Sequence, residues 1–160
     1  VKTMNFIGMD IKGDRLWKGS KTALELGLKN VAFLRSPIEN IEYFFSKGEV
    51  CEIWIPFPDP QPNKPRIKRR LTSPQFLERY DKVLADGSLI HFKTDNEMLF
   101  HYTLDIILQQ GFILHYHTRD IHASPESHDA DNIKTFYENK FMEKGGRIYY
   151  ICFSIKKPLS

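Results

Sequence analysis

The sequence feature that most restricts this chain is a run of prolines placed directly after an apolar stretch. Ile53-Trp54-Ile55 is followed by Pro56, Pro58, Pro60 and Pro62, four prolines within seven residues. Proline cannot donate to a sheet ladder, and it disfavours helix in the residue before it. A strand must therefore end at Pro56–Pro58, and the chain is expected to continue extended, holding Asp59 on a stiffened loop just past the strand end. The next seven residues, Lys64 to Arg70, contain five basic side chains and no acidic one. Ligands of open α/β sheets lie beyond the carboxyl ends of the strands. An acid on a rigid loop beside dense positive charge suits a polyanion delivered to a carboxylate.

The charge balance localises this signal. The chain carries 23 basic and 20 acidic residues, a net charge of +3. Without the five basic residues of 64–70 it would hold 18 against 20. The positive excess thus belongs to one segment, which points to a local anion site rather than to a generally basic surface. At 160 residues the chain is read as one domain, 1–160, with an ordinary hydrophobic fraction of 41%. No run reaches membrane-span length, and the expected compartment is a reducing cytoplasm. Cys51 and Cys152 lie in apolar, strand-like runs without pairing or metal spacing, so both are expected as buried free thiols.

Strand and helix patterns alternate along the chain. Met4 to Asp10 reads as a strand ending on an acid, and Ile11 to Leu26 as a helix stopped by Gly27. Val31 to Leu34 is a strand, Ile38 to Phe45 a short helix, and Glu52 to Phe57 the strand that enters the proline run. Ser73-Pro74 predicts a serine-capped helix start. Phe76, Leu77, Tyr80, Val83 and Leu84 line one face of that helix, with Gly87 as its stop. Ser88 to Thr94 is a strand, and Thr94-Asp95-Asn96-Glu97 fits a capping box opening a helix that runs to about Gln110. Phe112 to Thr118 and Ile148 to Ile155 are strands on either side of a polar loop, 120–132, and a short helix, 135–143. The pattern predicts an α/β fold with a mostly parallel sheet, closed at one edge by the two late strands as an antiparallel pair.

Three acids, Asp10, Asp59 and Asp95, fall just past strand ends. Each alone has an ordinary explanation as a cap or turn residue. Three at equivalent positions point to one crevice. The six histidines form no metal-ligand set with acids or cysteines, so no metal is expected, and neither a Ser-His-Asp arrangement nor a phosphate P-loop is present.

Four ordered motifs carry a resemblance over nearly the whole chain. They are Phe57-Pro58-Asp59-Pro60, the basic segment through Lys68-Arg69-Arg70-Leu71-Thr72, the Lys93-Thr94-Asp95 strand end, and Thr135-Phe136-Tyr137-Glu138. Together they resemble the bacterial tRNA (guanine-N7)-methyltransferase family, whose second and third strands look like Phe6-Ile7-Gly8-Met9-Asp10 and the segment at Asn30-Val31. The resemblance implies a Rossmann-like class I methyltransferase that transfers methyl from S-adenosyl-L-methionine to N7 of a guanine in the tRNA variable loop. On it, Asp10 matches the acid that holds the cofactor ribose, and Asp59 the acid of the Pro-Asp-Pro motif beside the cofactor, regarded as catalytic. Asp95, Thr135 and Glu138 match substrate-contacting residues, and Arg66, Lys68, Arg69 and Arg70 fall in the RNA-contacting segment.

Two departures stand out. The family's acid after its third strand has no counterpart in Arg35-Ser36-Pro37-Ile38. Its lysine after Pro-Asp-Pro aligns with Asn63, leaving the adjacent Lys64 to take that role among the substrate-binding residues. Two other readings stay open at this level: a non-catalytic RNA-binding domain of the same fold, and a nucleotide-binding oxidoreductase with a fortuitous basic turn. The oligomeric state is not encoded in any pattern. Finally, the resemblance sets Val1 to Asp10 on the family's second strand, so a first strand with its glycine-rich turn is expected upstream, in a segment of about 30 residues.

Overall fold

In the computed structural model, described for residues 4–123, 134 and 136–155, the chain divides into two compact units, Val1–Phe44 and Phe45–Ser160. The first contains strand β1 (Phe6–Asp10), helix α1 (Gly13–Glu25), strand β2 (Val31–Arg35), a 3-10 turn (Ile38–Asn40) and the single-turn helix α2 (Ile41–Phe44). β1 and β2 pair in parallel, with Phe6 opposite Val31 and Asp10 opposite Arg35. Helix α1 ends where its glycine predicts. Gly27 has a φ of +66°, its N–H reaches the Leu24 carbonyl, and the Leu28 N–H reaches that of Ala23. This double bond satisfies carbonyls that the helix end would otherwise leave unpaired.

The second unit runs β3 (Val50–Pro56), a 3-10 turn (Lys64–Arg69), α3 (Pro74–Val83), β4 (Leu84–Thr94), α4 (Glu97–Gln109), β5 (Ile113–Thr118), α5 (Phe136–Met142) and β6 (Tyr149–Ser154). Its strands form a four-stranded sheet in the order β3-β4-β6-β5. β3 and β4 are parallel, whereas β6 is antiparallel to both β4 and β5. The parallel beginning and antiparallel C-terminal edge are those the strand–helix alternation predicts.

Side-chain alternation gives this sheet two different faces. Ile90 and Phe92 on β4 stand directly opposite Phe153 and Ile151 on β6, and all four are fully buried. Phe76, Leu77 and Tyr80 of α3 and Leu99, Phe100 and Ile107 of α4 are buried as well, with the Phe100 ring 4.9 Å from that of Tyr149. Each such side chain contributes about 1.5–3 kcal/mol on burial. A hydroxyl pair, Thr72 and Thr103 at 2.8 Å, ties the entry of α3 to α4. The opposite parity carries Trp54, His91, Cys152 and Tyr116 in a register row across the four strands. Trp54 stacks on His91 at 4.2 Å, and the His91 Nδ1 lies 2.7 Å from the Tyr150 hydroxyl. Burial pushes the Tyr150 phenol and the Cys152 thiol up from their ordinary pKa values.

Several local expectations are corrected by tertiary pairing. Helix α3 stops at Val83, and Leu84 to Gly87 join β4, because Val50 of β3 pairs with Leu84. Ser73 occupies the N-cap position of α3, yet its hydroxyl donates backward to the Lys68 carbonyl at 3.0 Å instead of capping. The cap of α4 is Asn96, which accepts from the Leu99 N–H at 2.8 Å, so the box expected to begin at Thr94 is displaced. Cys152 is buried as expected, but Cys51 is exposed, where a register shift between Val50 and Glu52 interrupts β3. Among the described residues, no helix is long and apolar enough to cross a membrane.

Candidate functional site

Two of the three strand-end acids leave adjacent parallel strands. Pro56 lies opposite Lys93 in register, and the Phe57 N–H donates to the Lys93 carbonyl at 2.8 Å, the last rung of the ladder. Beyond it the backbone turns sharply: Phe57 has a φ of +50° and Gln61 of +43°. Neither is glycine, and such conformations cost about 1–3 kcal/mol each unless the surroundings over-determine them. Asp59 sits between them, exposed, with its Oδ1 accepting from the Gln61 N–H at 2.9 Å. On the neighbouring strand, Asp95 follows Thr94, whose hydroxyl accepts from the Asn96 N–H at 3.1 Å. Asp95 is half-buried. Asp59 and Asp95 thus occupy matching positions past the carboxyl ends of β3 and β4, the location expected of a ligand site.

The basic segment is not extended throughout, as the prolines alone imply. Lys64–Arg69 closes into a 3-10 turn with Pro65 in its first positions, and the Arg66 N–H bonds the Asn63 carbonyl at 2.8 Å. In a 3-10 turn, side chains three apart eclipse one another. Arg66 and Arg69 therefore form one row and are both exposed, and Lys68 is exposed on another side. Asn63 and Lys64, the two candidates for one role, are exposed at the start of the turn. The third row continues from half-buried Ile67 to Arg70, which is only 4% exposed.

Arg70 therefore departs from the role expected of the basic cluster. Its Nε donates to the Pro60 carbonyl at 3.0 Å and its Nη2 to the Gln61 carbonyl at 3.2 Å, with Met98 Sδ also 3.2 Å from Nη2. The guanidinium carbon lies 4.3 Å from the ring centre of Tyr102. Burial raises the Tyr102 pKa, and the Arg70 charge opposes that shift. A cation committed to these partners is not presented to a polyanion.

Glu138 on α5 has no exposed surface. Its Oε1 lies 3.2 Å from Lys93 Nζ and 2.9 Å from His122 Nε2, and its Oε2 lies 3.4 Å from the same lysine. The Lys93 side chain is itself 4% exposed. The sequence motif signals Lys93 and Glu138 separately, but their union across 45 positions, and the part of His122, were missed. A lysine inside an otherwise apolar strand is the available clue, because buried lysines are almost always paired. Thr135 lies outside the described residues. Among the described residues no metal-holding cluster of His, Cys, Asp and Glu occurs.

In the first unit, Asp10 ends β1 with its carbonyl accepting from the Ser36 N–H at 3.2 Å. Its carboxylate accepts from the Lys12 N–H at 3.0 Å and lies 3.5 Å from Arg15 Nη1, while its side chain stays 29% exposed. A carboxylate has about four acceptor positions, so Asp10 retains capacity for a diol, which offers two hydroxyl donors. This donor chemistry fits the ribose of the cofactor that the sequence resemblance implies. Ser36, where the expected acid is missing, is buried and accepts from the Asn40 side-chain amide at 3.2 Å.

Comparison with known proteins adds four matches. The family model described as "Putative methyltransferase" matches residues 2–151. The tRNA (guanine-N(7)-)-methyltransferase of Christiangramia forsetii is 51% identical over 153 residues, which cover 95% of this chain and 68% of that protein. The protein of the same name from Porphyromonas gingivalis is 46% identical over 155 residues, and there the chain spans only 63% of the relative's length. A crystallised SAM-dependent methyltransferase from Aquifex aeolicus superposes with a TM-score of 0.59 at 13% identity, covering 94% of this chain and 69% of that one. At that identity the likeness concerns the fold alone.

Proposed function

This chain belongs to the tRNA (guanine-N7)-methyltransferase family of S-adenosylmethionine-dependent enzymes, and from that premise we propose that the whole protein methylates N7 of a guanine in the tRNA variable loop. The observation that carries the reading is the pairing of Asp59 and Asp95 past adjacent parallel strand ends, with the exposed cations of the Lys64–Arg69 turn following directly. We take the two units as parts of one catalytic domain acting on tRNA in the cytoplasm.

Guanine N7 carries a lone pair and no proton, so the reaction needs no strong general base. Positioning dominates instead, because aligned reactants at close approach remove much of the barrier. When bound, S-adenosylmethionine supplies an electrophilic methyl group. By the family resemblance, Asp10 would accept from its ribose hydroxyls, and Asp59 would serve as the acid of the methyl transfer. Asp95, Thr135 and Glu138 accept from the N–H edge of guanine, with Lys64 beside them. The negative charge of the Asp95 and Glu138 carboxylates both selects the base and stabilises the positive charge that methylation leaves on it. A guanine read along its N–H edge must be turned out of its stack to meet these groups. Arg66, Lys68 and Arg69 contact phosphates.

Incubating the whole protein with unmodified tRNA and methyl-labelled S-adenosylmethionine, followed by nucleoside analysis, tests this directly. Label in 7-methylguanosine is expected; label in another nucleoside, or none, overturns the reading. Replacing Arg66, Lys68 and Arg69 together with glutamine should weaken tRNA binding and reduce the slope of log affinity against log salt by about two to three. An unchanged slope would show that the exposed row is simply solvated.

A further inference from the structure

We propose that Arg70 is a positioning residue that holds the Asp59 loop in its working shape. The proposal rests on the reading of Asp59 as the acid beside the reacting atoms. The two carbonyls that Arg70 binds, those of Pro60 and Gln61, belong to the two residues immediately after Asp59. The Gln61 N–H in turn donates to the Asp59 carboxylate. Arg70 therefore holds the two peptide units that flank Gln61, and with them the direction of that N–H and the positive φ of Gln61. Its own backbone is anchored on both sides: its N–H bonds the Ile67 carbonyl at 3.1 Å, and its carbonyl accepts from the Ser73 N–H at 2.9 Å. The clamp is thereby built on the start of α3 and not on the free end of a surface side chain.

The chemistry requires arginine. A planar guanidinium presents donors in a rigid fork, which can meet two successive carbonyls while its face lies on an aromatic ring. Tyr102 on α4 supplies that ring at 4.3 Å. A lysine in the same place offers a point charge that cannot stack flat and engage both carbonyls together. Arg70 thus couples α3 and α4 to the loop that leaves β3.

Two variants of the whole protein, Arg70→Lys and Arg70→Met, test the clamp by amide hydrogen exchange at Gln61 and by steady-state kinetics. Both variants are expected to lose protection at the Gln61 amide and to lose about tenfold to a hundredfold in kcat. The KM for tRNA and the salt slope of binding should stay within about twofold of the parent's. Arg70→Lys keeps the charge and most of the volume, so it separates fork geometry from gross misfolding. Unaltered Gln61 exchange in both variants would overturn the proposal. So would wild-type kcat combined with a salt slope reduced by about one, the signature of a lost phosphate contact. The Asp59 reading fails by a different sign: Asp59→Asn with full turnover, while Arg70→Met still frees the Gln61 amide, removes Asp59 from the chemistry and leaves the clamp standing.

Discussion

Replacing Asp59 with alanine is expected to lower kcat for tRNA methylation by about 10²–10³-fold, the scale seen when one preorganised electrostatic partner of a reacting centre is removed. The loss should fall on kcat rather than on tRNA affinity, because the exposed cations of Arg66, Lys68 and Arg69 remain in place. Stability should hardly change. Asp59 is exposed, and its carboxylate makes one hydrogen bond, to the Gln61 N–H, worth about 1 kcal/mol at most. That corresponds to a fall in Tm of about 2–4 °C for a domain of this size. A variant that turns over at the parent rate would exclude Asp59 from the mechanism. One that melts far below the parent would instead reveal a structural role for the loop that its exposure does not suggest.

The architecture was legible because local and long-range signals agree over most of the chain. Glycine stops at Gly27 and Gly111 end their helices as expected, each with the N–H of the glycine and of the next residue turned back onto helix carbonyls. The strand expected at Val31 and the antiparallel edge of β5 and β6 follow from apolar runs too short for helices. Where the reading failed, sheet pairing overrode periodicity. Leu84 continues the helical apolar stripe of Phe76, Leu77, Tyr80 and Val83, and it is buried as that stripe predicts. It is buried, however, as the first residue of β4, and an apolar pattern cannot distinguish those two ways of being inside.

The placement of the candidate site was legible in the sequence, and its contacts were not. Asp59 and Asp95 are signalled by their positions after strands, and β3 and β4 do bring those strand ends together. Arg70 was read with its neighbours because five basic residues in seven look alike in one dimension. Only the 3-10 geometry separates them, sending Ile67 and Arg70 inward while Arg66 and Arg69 face out. Its partners Met98 and Tyr102 lie on α4, far along the chain, so no local rule could assign them. His122 falls in a segment whose polarity reads as loop, and its contact with Glu138 arises only from tertiary folding.

Lys93→Met should be the most destabilising single change in the site. Lys93 and Glu138 are 4% and 0% exposed in their side chains. Removing one member of a buried pair leaves the other as an uncompensated charge, at a cost of about 3–5 kcal/mol. The His122 Nε2 contact at 2.9 Å keeps one partner on Glu138, so the lower end of that range is expected. The double variant Lys93→Met with Glu138→Gln removes both charges and should recover most of the loss, since replacing a whole buried pair by neutral groups is often close to neutral. Denaturant midpoints of the parent, both single variants and the double variant form the cycle that measures this coupling. The same four proteins separate structure from recognition. If Glu138 accepts from guanine, the double variant regains stability but not methylation. If it regains both, the carboxylate serves only to pin α5 onto the end of β4, and the edge of the base is read by Asp95 and its neighbours alone.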